Sequence, residues 1–152
     1  MTDNPLTQSG PKLSDSDLDA VESAIGQPLP SDLRELYRNY NGGRPERRCF
    51  YDEKGGEHAV HGFLIMRHRR SAVTPLFEET VARLRAKSLL PKALLPIAAN
   101  EGGDYFVLNI DDGKISFLSM DYATEPARAL RQVANSLKEF LDEMITDDEM
   151  FG

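Results

Sequence analysis

The sequence predicts an α+β domain: an antiparallel β-sheet packed with helices before, between and after the strands. Three observations carry this expectation. Two amphipathic helical patterns with start and stop signals lie between Ser14 and Gly43. Asp112-Gly113 separates two β-rich runs, Tyr105 to Ile110 and Lys114 to Met120, which is a hairpin signal. Apolar residues at helical spacing follow from Glu125 to Ile145.

Residues 1–13 are polar and contain Pro5 and Pro11, so they read as a flexible tail. A helix is expected to begin at Ser14, an N-cap with Asp17 three positions on and Leu13 and Leu18 placed as a hydrophobic staple. Leu18, Val21 and Ile25 continue its apolar face, and Gly26 stops it. Pro28-Leu29-Pro30 forces an extended joint. Pro30 suits the first turn of a second helix whose stripe is Leu33, Leu36, Tyr37 and Tyr40, and Asn41-Gly42-Gly43 ends it. The Tyr37 and Tyr40 stripe reads as core.

Arg44 to Gly56 reads as loop with a short strand at Cys49-Phe50-Tyr51, Gly55-Gly56 as a turn, and Ala59 to Met66 as a strand. Thr74 as cap and Pro75 at the first helical position open a third helix through Phe77, Val81 and Leu84. Pro91 and Pro96 bracket a short segment leading to Ile97 and Ala98. After the hairpin, the final helix, residues 125–145, presents Ala129, Val133, Leu137, Leu141 and Ile145 on one face. Residues 146–152 read as a frayed acidic tail. A single domain over 14–145 is therefore expected, with no internal repeat.

Composition narrows the function classes. Hydrophobic residues make up 40% of the 152 and charged residues 28%, ordinary for a globular chain. No apolar run reaches the roughly 18 residues of a membrane helix, and residues 1–10 lack the basic start and apolar stretch of a signal peptide. Cys49 is the lone cysteine, so a cytoplasmic protein without internal disulfide is expected. The formal net charge is −7, unevenly spread. Residues 34–92 carry thirteen bases against seven acids, and residues 93–152 twelve acids against four bases. Such a chain is repelled by nucleic acid and steered toward basic partners, although solubility alone explains an acidic balance.

Signals of chemistry are weak. His58 and His61 are three apart in a segment read as a strand, so they face opposite sides and no metal site is expected. Arg67-His68-Arg69-Arg70 is the densest basic run; without interleaved aromatics it reads as a solvated loop rather than a nucleic-acid site. Ser14, Ser16, Ser31 and Ser71 lack a nucleophile-elbow context. Gly102-Gly103-Asp104-Tyr105-Phe106 lacks the second carboxylate of the Gly-Gly-Asp-Glu-Phe signature of cyclic-dinucleotide synthases. Asp111-Asp112-Gly113 lacks the ligand spacing of a calcium loop, and Asp147-Asp148-Glu149 reads as a solvated run. No cofactor loop is present and no catalytic residue is assigned.

Two segments in order carry a resemblance. The first is Leu29-Pro30 followed by the helix through Leu33, Leu36 and Tyr37 into Asn41-Gly42-Gly43. The second is Leu95-Pro96-Ile97-Ala98 followed by Gly102-Gly103-Asp104 and the strand Tyr105 to Leu108. Together they resemble the SUKH superfamily, which includes the fungal Smi/Knr type of cell-wall-assembly regulator and many bacterial immunity proteins. The resemblance spans roughly residues 14–145. It departs from the family in having no Trp on the strand after the Gly-Gly-Asp turn, where Phe117 stands instead. The resemblance implies a non-enzymatic immunity protein that binds and neutralises a cognate toxin, with a regulatory or scaffold module of the same fold as the alternative. A basic toxin domain, such as a nuclease, is the favoured partner, and a monomer or weak homodimer is expected. The acids of the Gly-Gly-Asp turn and the hairpin, Glu101, Asp104, Asp111, Asp112 and Asp121, are the candidate contacts, with Tyr105 and Tyr122 as aromatic anchors.

Overall fold

Ser14 opens α1 (Asp15–Ile25) by the reciprocal capping that its sequence predicts: its side chain accepts from the Asp17 amide, and the Asp17 carboxylate takes the Ser14 amide. Gly26 closes the helix in the left-handed region, φ 75°. The protein is described by a computed structural model covering residues 2–71 and 75–152, with backbone alone at 126 and 127. α2 (Ser31–Asn39) follows Pro30 and buries Leu33, Leu36 and Tyr37. The Tyr37 hydroxyl is fully buried and donates to the Leu64 carbonyl at 2.6 Å, so its polar end is satisfied inside the core.

The residues before α1 are packed rather than flexible. Strand β1 (Leu6–Thr7) pairs antiparallel with β2 (Arg44–Pro45). Leu6 and Leu13 are buried, and the buried Asn4 amide donates to the carbonyls of Arg47 and Leu141. Asn41-Gly42-Gly43 holds this segment down. The Asn41 amide donates to Pro11 O and Met66 O, and its oxygen accepts from Met66 N at 2.8 Å. A Cβ at Gly43 (φ 113°) would lie 2.3 Å from the Thr7 carbonyl, so the close approach of the two chains requires glycine there.

Strand β3 (Cys49–Tyr51) and β4 (Glu57–Ala59) form a two-stranded hairpin through the Gly55-Gly56 turn. The single strand expected over residues 59–66 is broken. Val60 N bonds to Arg48 O, while His61 N bonds to Ala99 O, so the chain changes partners there. β5 (Gly62–Phe63) then joins β6 (Leu94–Ala99). α3 (Phe77–Ala86) begins two residues after Pro75, with Leu76 as its cap. Ile65 bridges to Leu76 and accepts the Phe77 amide, which keeps that stretch extended. Thr74, expected as the cap, lies outside the described residues.

The predicted hairpin forms as β7 (Tyr105–Asn109) and β8 (Ile115–Leu118), with Gly113 at φ 77° in the turn. A 3-10 turn (Met120–Tyr122) and the one-turn helix α4 (Pro126–Ala129) follow. The helix expected over residues 125–145 does not form. After the single turn of α4 the chain becomes β9 (Leu130–Ala134), paired with β8, and helix resumes only at α5 (Leu137–Asp142). Ser136 caps α5 by accepting from the Glu139 amide, so a helix start sits in the middle of the expected helix. Residues 146–152 form a capped turn of helix, α6 (Asp147–Phe151), instead of a frayed tail. Thr146 and Glu149 cap it reciprocally, and Arg48 pairs with Asp147 at 2.9 Å.

The main sheet is an antiparallel meander in the order β5-β6-β7-β8-β9. Both of its faces are covered, so the architecture is α+β. Phe106 and Leu108 of β7 join the larger core with Leu18, Leu33, Tyr37 and Phe140. Val107, on the other face, joins a smaller one with Leu84, Leu90, Leu118 and Ala129.

Candidate functional site

Meander topology sorts the seven sequence candidates. The β6–β7 turn and the exit of β8 lie at one end of the sheet, and the β7–β8 turn lies at the other. Glu101, Asp104, Tyr105, Asp121 and Tyr122 therefore gather at one end. Asp111 and Asp112 sit at the far end of five-residue β7, roughly 15 Å away at about 3.3 Å per residue. The structure does not join all seven into one patch.

At the first end, Asp104 is built into the turn. Its amide donates to Asn100 Oδ1 at 2.9 Å, and its Oδ1 accepts the Met120 amide at 2.8 Å, tying the β6–β7 turn to the chain leaving β8. Gly103 at φ 89° makes the reversal possible. The Tyr105 hydroxyl accepts from Arg83 of α3 at 2.7 Å, which turns this ring toward the fold. Tyr122 is exposed, and the Arg128 guanidinium lies 3.9 Å from its ring centroid. Glu101 and Asp121 are exposed, and Glu101 lies 3.8 Å from His61 Nδ1. The outward features of this end are thus Glu101, Asp121 and the Tyr122–Arg128 pair, with Asp104 as their scaffold. At the other end, Asp112 accepts the Lys114 amide and stays exposed with Asp111.

The basic run is engaged by acceptors of its own chain, three of its four residues by carboxylates. Arg67 and His68 approach Asp17 at 3.6 and 3.5 Å, Arg69 pairs with Glu79, and Arg70 donates to the Gln8 carbonyl.

Sequence reading missed a second cluster. Asp52 follows β3, and its side chain is 1% exposed. Its Oδ1 accepts the amides of Lys54 and Gly56, and its Oδ2 meets His58 Nε2 at 2.9 Å and Arg131 of β9 at 3.1 Å. The His58 hydrogen bond, then the Gly56 amide and the Arg131 guanidinium, hold the carboxyl well below its ordinary range against the cost of burial. The His58 ring stacks on Phe50, centroids 4.9 Å apart, and meets Phe117 edge-on at 5.0 Å. Phe117 thus takes up an aromatic place on this strand. The cluster fastens the β3–β4 hairpin to the edge strand β9. The signal was present in the sequence as Asp52 three residues before Gly55, an Asx-turn pattern; its ion-pair partner lies 79 residues on.

Cys49 is buried, and burial first, then the neighbouring Asp147 carboxylate, pushes its thiol up to about 11, so it stays protonated and unreactive. Among the described residues, no group of three or more His, Cys, Asp or Glu side chains converges as a metal site would require, and no helix is long and apolar enough to cross a membrane.

Comparison with known proteins supplies the family. The chain is 24% identical over 148 residues to the SPbeta prophage-derived uncharacterized protein YokK of Bacillus subtilis (strain 168), an alignment covering 86% of this chain and 73% of the relative. The model of the SMI1 / KNR4 family (SUKH-1) matches residues 12–143, which takes in both sequence motifs, the meander and the Asp52 cluster. With a match of that extent, the chain belongs to the SMI1/KNR4 family.

Proposed function

We propose that this protein is an immunity protein that binds and neutralises a cognate bacterial toxin domain in the cytoplasm, without catalysis and without a cofactor. The observation that carries the reading is the family match across residues 12–143. The surface chemistry supports it. A net charge of −7 steers association with a basic partner such as a nuclease domain, whose substrate is itself an anion. Glu101 and Asp121 supply exposed carboxylates at one end of the sheet, and Tyr122, braced by Arg128, supplies an aromatic anchor there. Asp104 and Tyr105 hold that end in shape, and Asp111 and Asp112 form a separate acidic corner.

A pull-down with the tagged protein against a panel of inactivated candidate toxin domains tests this. Capture of one domain at near one-to-one stoichiometry is the expected result. Capture of housekeeping proteins alone would move the assignment to a regulatory or scaffold module of the same fold, and capture of nothing would remove the toxin-binding role.

A further inference from the structure

One side of the sheet is open. β9 closes the strand order, pairs only with β8, and makes no backbone hydrogen bond on its outer side among the described residues. Its register tells which groups face outward. Ser119 N donates to Ala129 O at 2.8 Å, so this pair is hydrogen-bonded across the β8–β9 ladder. Antiparallel pairs alternate, so Phe117 and Arg131 are the next bonded pair, while Leu130 and Gln132 turn their N–H and C=O away from β8. The other ladder agrees: Asn109 N donates to Lys114 O, placing the bonding groups of Lys114, Ser116 and Leu118 toward β7. The free edge thus offers two residues' worth of unpaired donors and acceptors.

Beside this edge runs a groove between β9, the tip of the β3–β4 hairpin and α5. Phe50, Phe140 and Val133 contribute to its apolar floor, and Tyr51, 52% exposed, stands at its side. Glu53, Glu139 and Glu143 edge it, and no Lys or Arg lines it. The nearest cation on β9, Arg131, is already paired with Asp52. Glu53 and Glu143 are exposed and have no ion-pair partner among the described residues. A strand edge, an apolar floor, an exposed tyrosine and an uncompensated carboxylate rim together define the occupant. Main-chain groups want an extended segment, and the rim wants cations on it.

We propose that β9 and the adjoining groove are the docking site for an extended, Lys- or Arg-bearing segment of a partner protein, which adds to the sheet as a sixth strand. This rests on the protein-binding reading above and names the surface and the partner's local chemistry. Outward N–H and C=O groups of Leu130 and Gln132 bond the incoming backbone. Glu53, Glu139 and Glu143 receive its basic side chains, and Tyr51 packs on its apolar ones. Asp52, through His58 and Arg131, fixes the spacing of the two groove walls.

The test pans a random dodecapeptide phage library on the full protein, then measures the selected peptides by fluorescence anisotropy and by backbone amide shifts. Two variants are compared with the wild type. Gln132→Pro deletes an outward donor without touching a β8 bond, and Glu53→Lys combined with Glu143→Lys reverses the rim. The expected result is enrichment of peptides in which basic and apolar residues alternate, with amide shifts at Leu130 and Gln132. Affinity should fall at least about tenfold in each variant of unchanged circular dichroism, consistent with backbone pairing plus charge recognition. Should Gln132→Pro not fold, the charge-reversed pair carries the decision. No enrichment, enrichment of acidic or neutral peptides, or affinity indifferent to the variants overturns the proposal. A toxin domain captured equally by wild type and both variants would sink the edge site and leave toxin binding standing; peptides held at the edge with no toxin captured would do the reverse.

Discussion

Replacing Asp52 with Asn removes one charge and almost no volume, so its effect isolates the carboxylate that fastens the β3–β4 hairpin to β9. Asn keeps one carbonyl oxygen, which still accepts the Lys54 and Gly56 amides. Its NH2 then faces the Arg131 guanidinium, a donor set against a donor, and the His58 contact loses the charge that strengthens it. The Arg131 side chain is 53% exposed, so water screens its share, worth about 0.5 kcal/mol. His58 is 11% exposed, and its charge-assisted bond is worth about 2 kcal/mol. The expected loss is about 2.5 kcal/mol at pH 7, or a fall in Tm of roughly 5–10 °C for a chain of this size. Urea unfolding followed by far-ultraviolet circular dichroism measures it, with the midpoint shifted and the slope unchanged. The pH dependence has a fixed sign. Asp52 is depressed in the folded state, so its contribution is full above the unfolded value of 3.8 and is lost as pH falls through the lower folded value. The gap between wild type and Asp52→Asn therefore holds from pH 7 to about 5 and narrows below about 4. A loss under about 0.5 kcal/mol at pH 7, or a gap that stays open in acid, would rule out the Asp52 carboxylate as the fastening between hairpin and β9.

Two further substitutions test the architecture. Asn41→Ala deletes two buried hydrogen bonds and one part-buried one, and leaves Met66 N and the Pro11 carbonyl unpaired, while the Met66 carbonyl keeps the His68 amide; a loss of about 3 kcal/mol and faster proteolysis within residues 2–13 are expected. Ser136→Ala removes the cap of α5 and should cost about 1 kcal/mol in urea unfolding, whereas a continuous helix through this point would tolerate or welcome the alanine.

What the sequence made legible was local. α1 and the β7–β8 hairpin are specified by side chains acting within four residues: Ser14 with Asp17, Gly26, and the Asp111 to Gly113 turn. The residues from Leu130 to Ala134 obeyed a different authority. Ala129, Val133, Leu137 and Leu141 fall four apart, which is helical spacing, yet the first two belong to a short helix end and a strand. Pairing with β8 overrode local preference, as strand formation commonly does. Two capping signatures, Ser136 with Glu139 and Thr146 with Glu149, were readable and mark where α5 and α6 begin. Asn4 gave no sign of burial, because its partners lie 43 and 137 residues away. The candidate site divided for a topological reason. Successive turns of a meander alternate between its ends, so Asp104 and Asp111, though seven apart, cannot share one patch. Asp104 proved to be a structural acceptor, and the uncompensated carboxylates of Glu53 and Glu143 stand elsewhere, in the groove beside β9.

Bacterial survival on co-expression tests most directly whether this protein confers immunity. Cells carrying an active candidate toxin domain, one that the tagged protein captures, are grown with the wild-type protein and with a folded variant holding Glu101→Lys, Asp121→Lys, Glu53→Lys and Glu143→Lys. Growth restored by the wild type and lost in the variant is the expected result. Death in both cultures would contradict immunity itself, and equal rescue by both would contradict the acidic surfaces as its means.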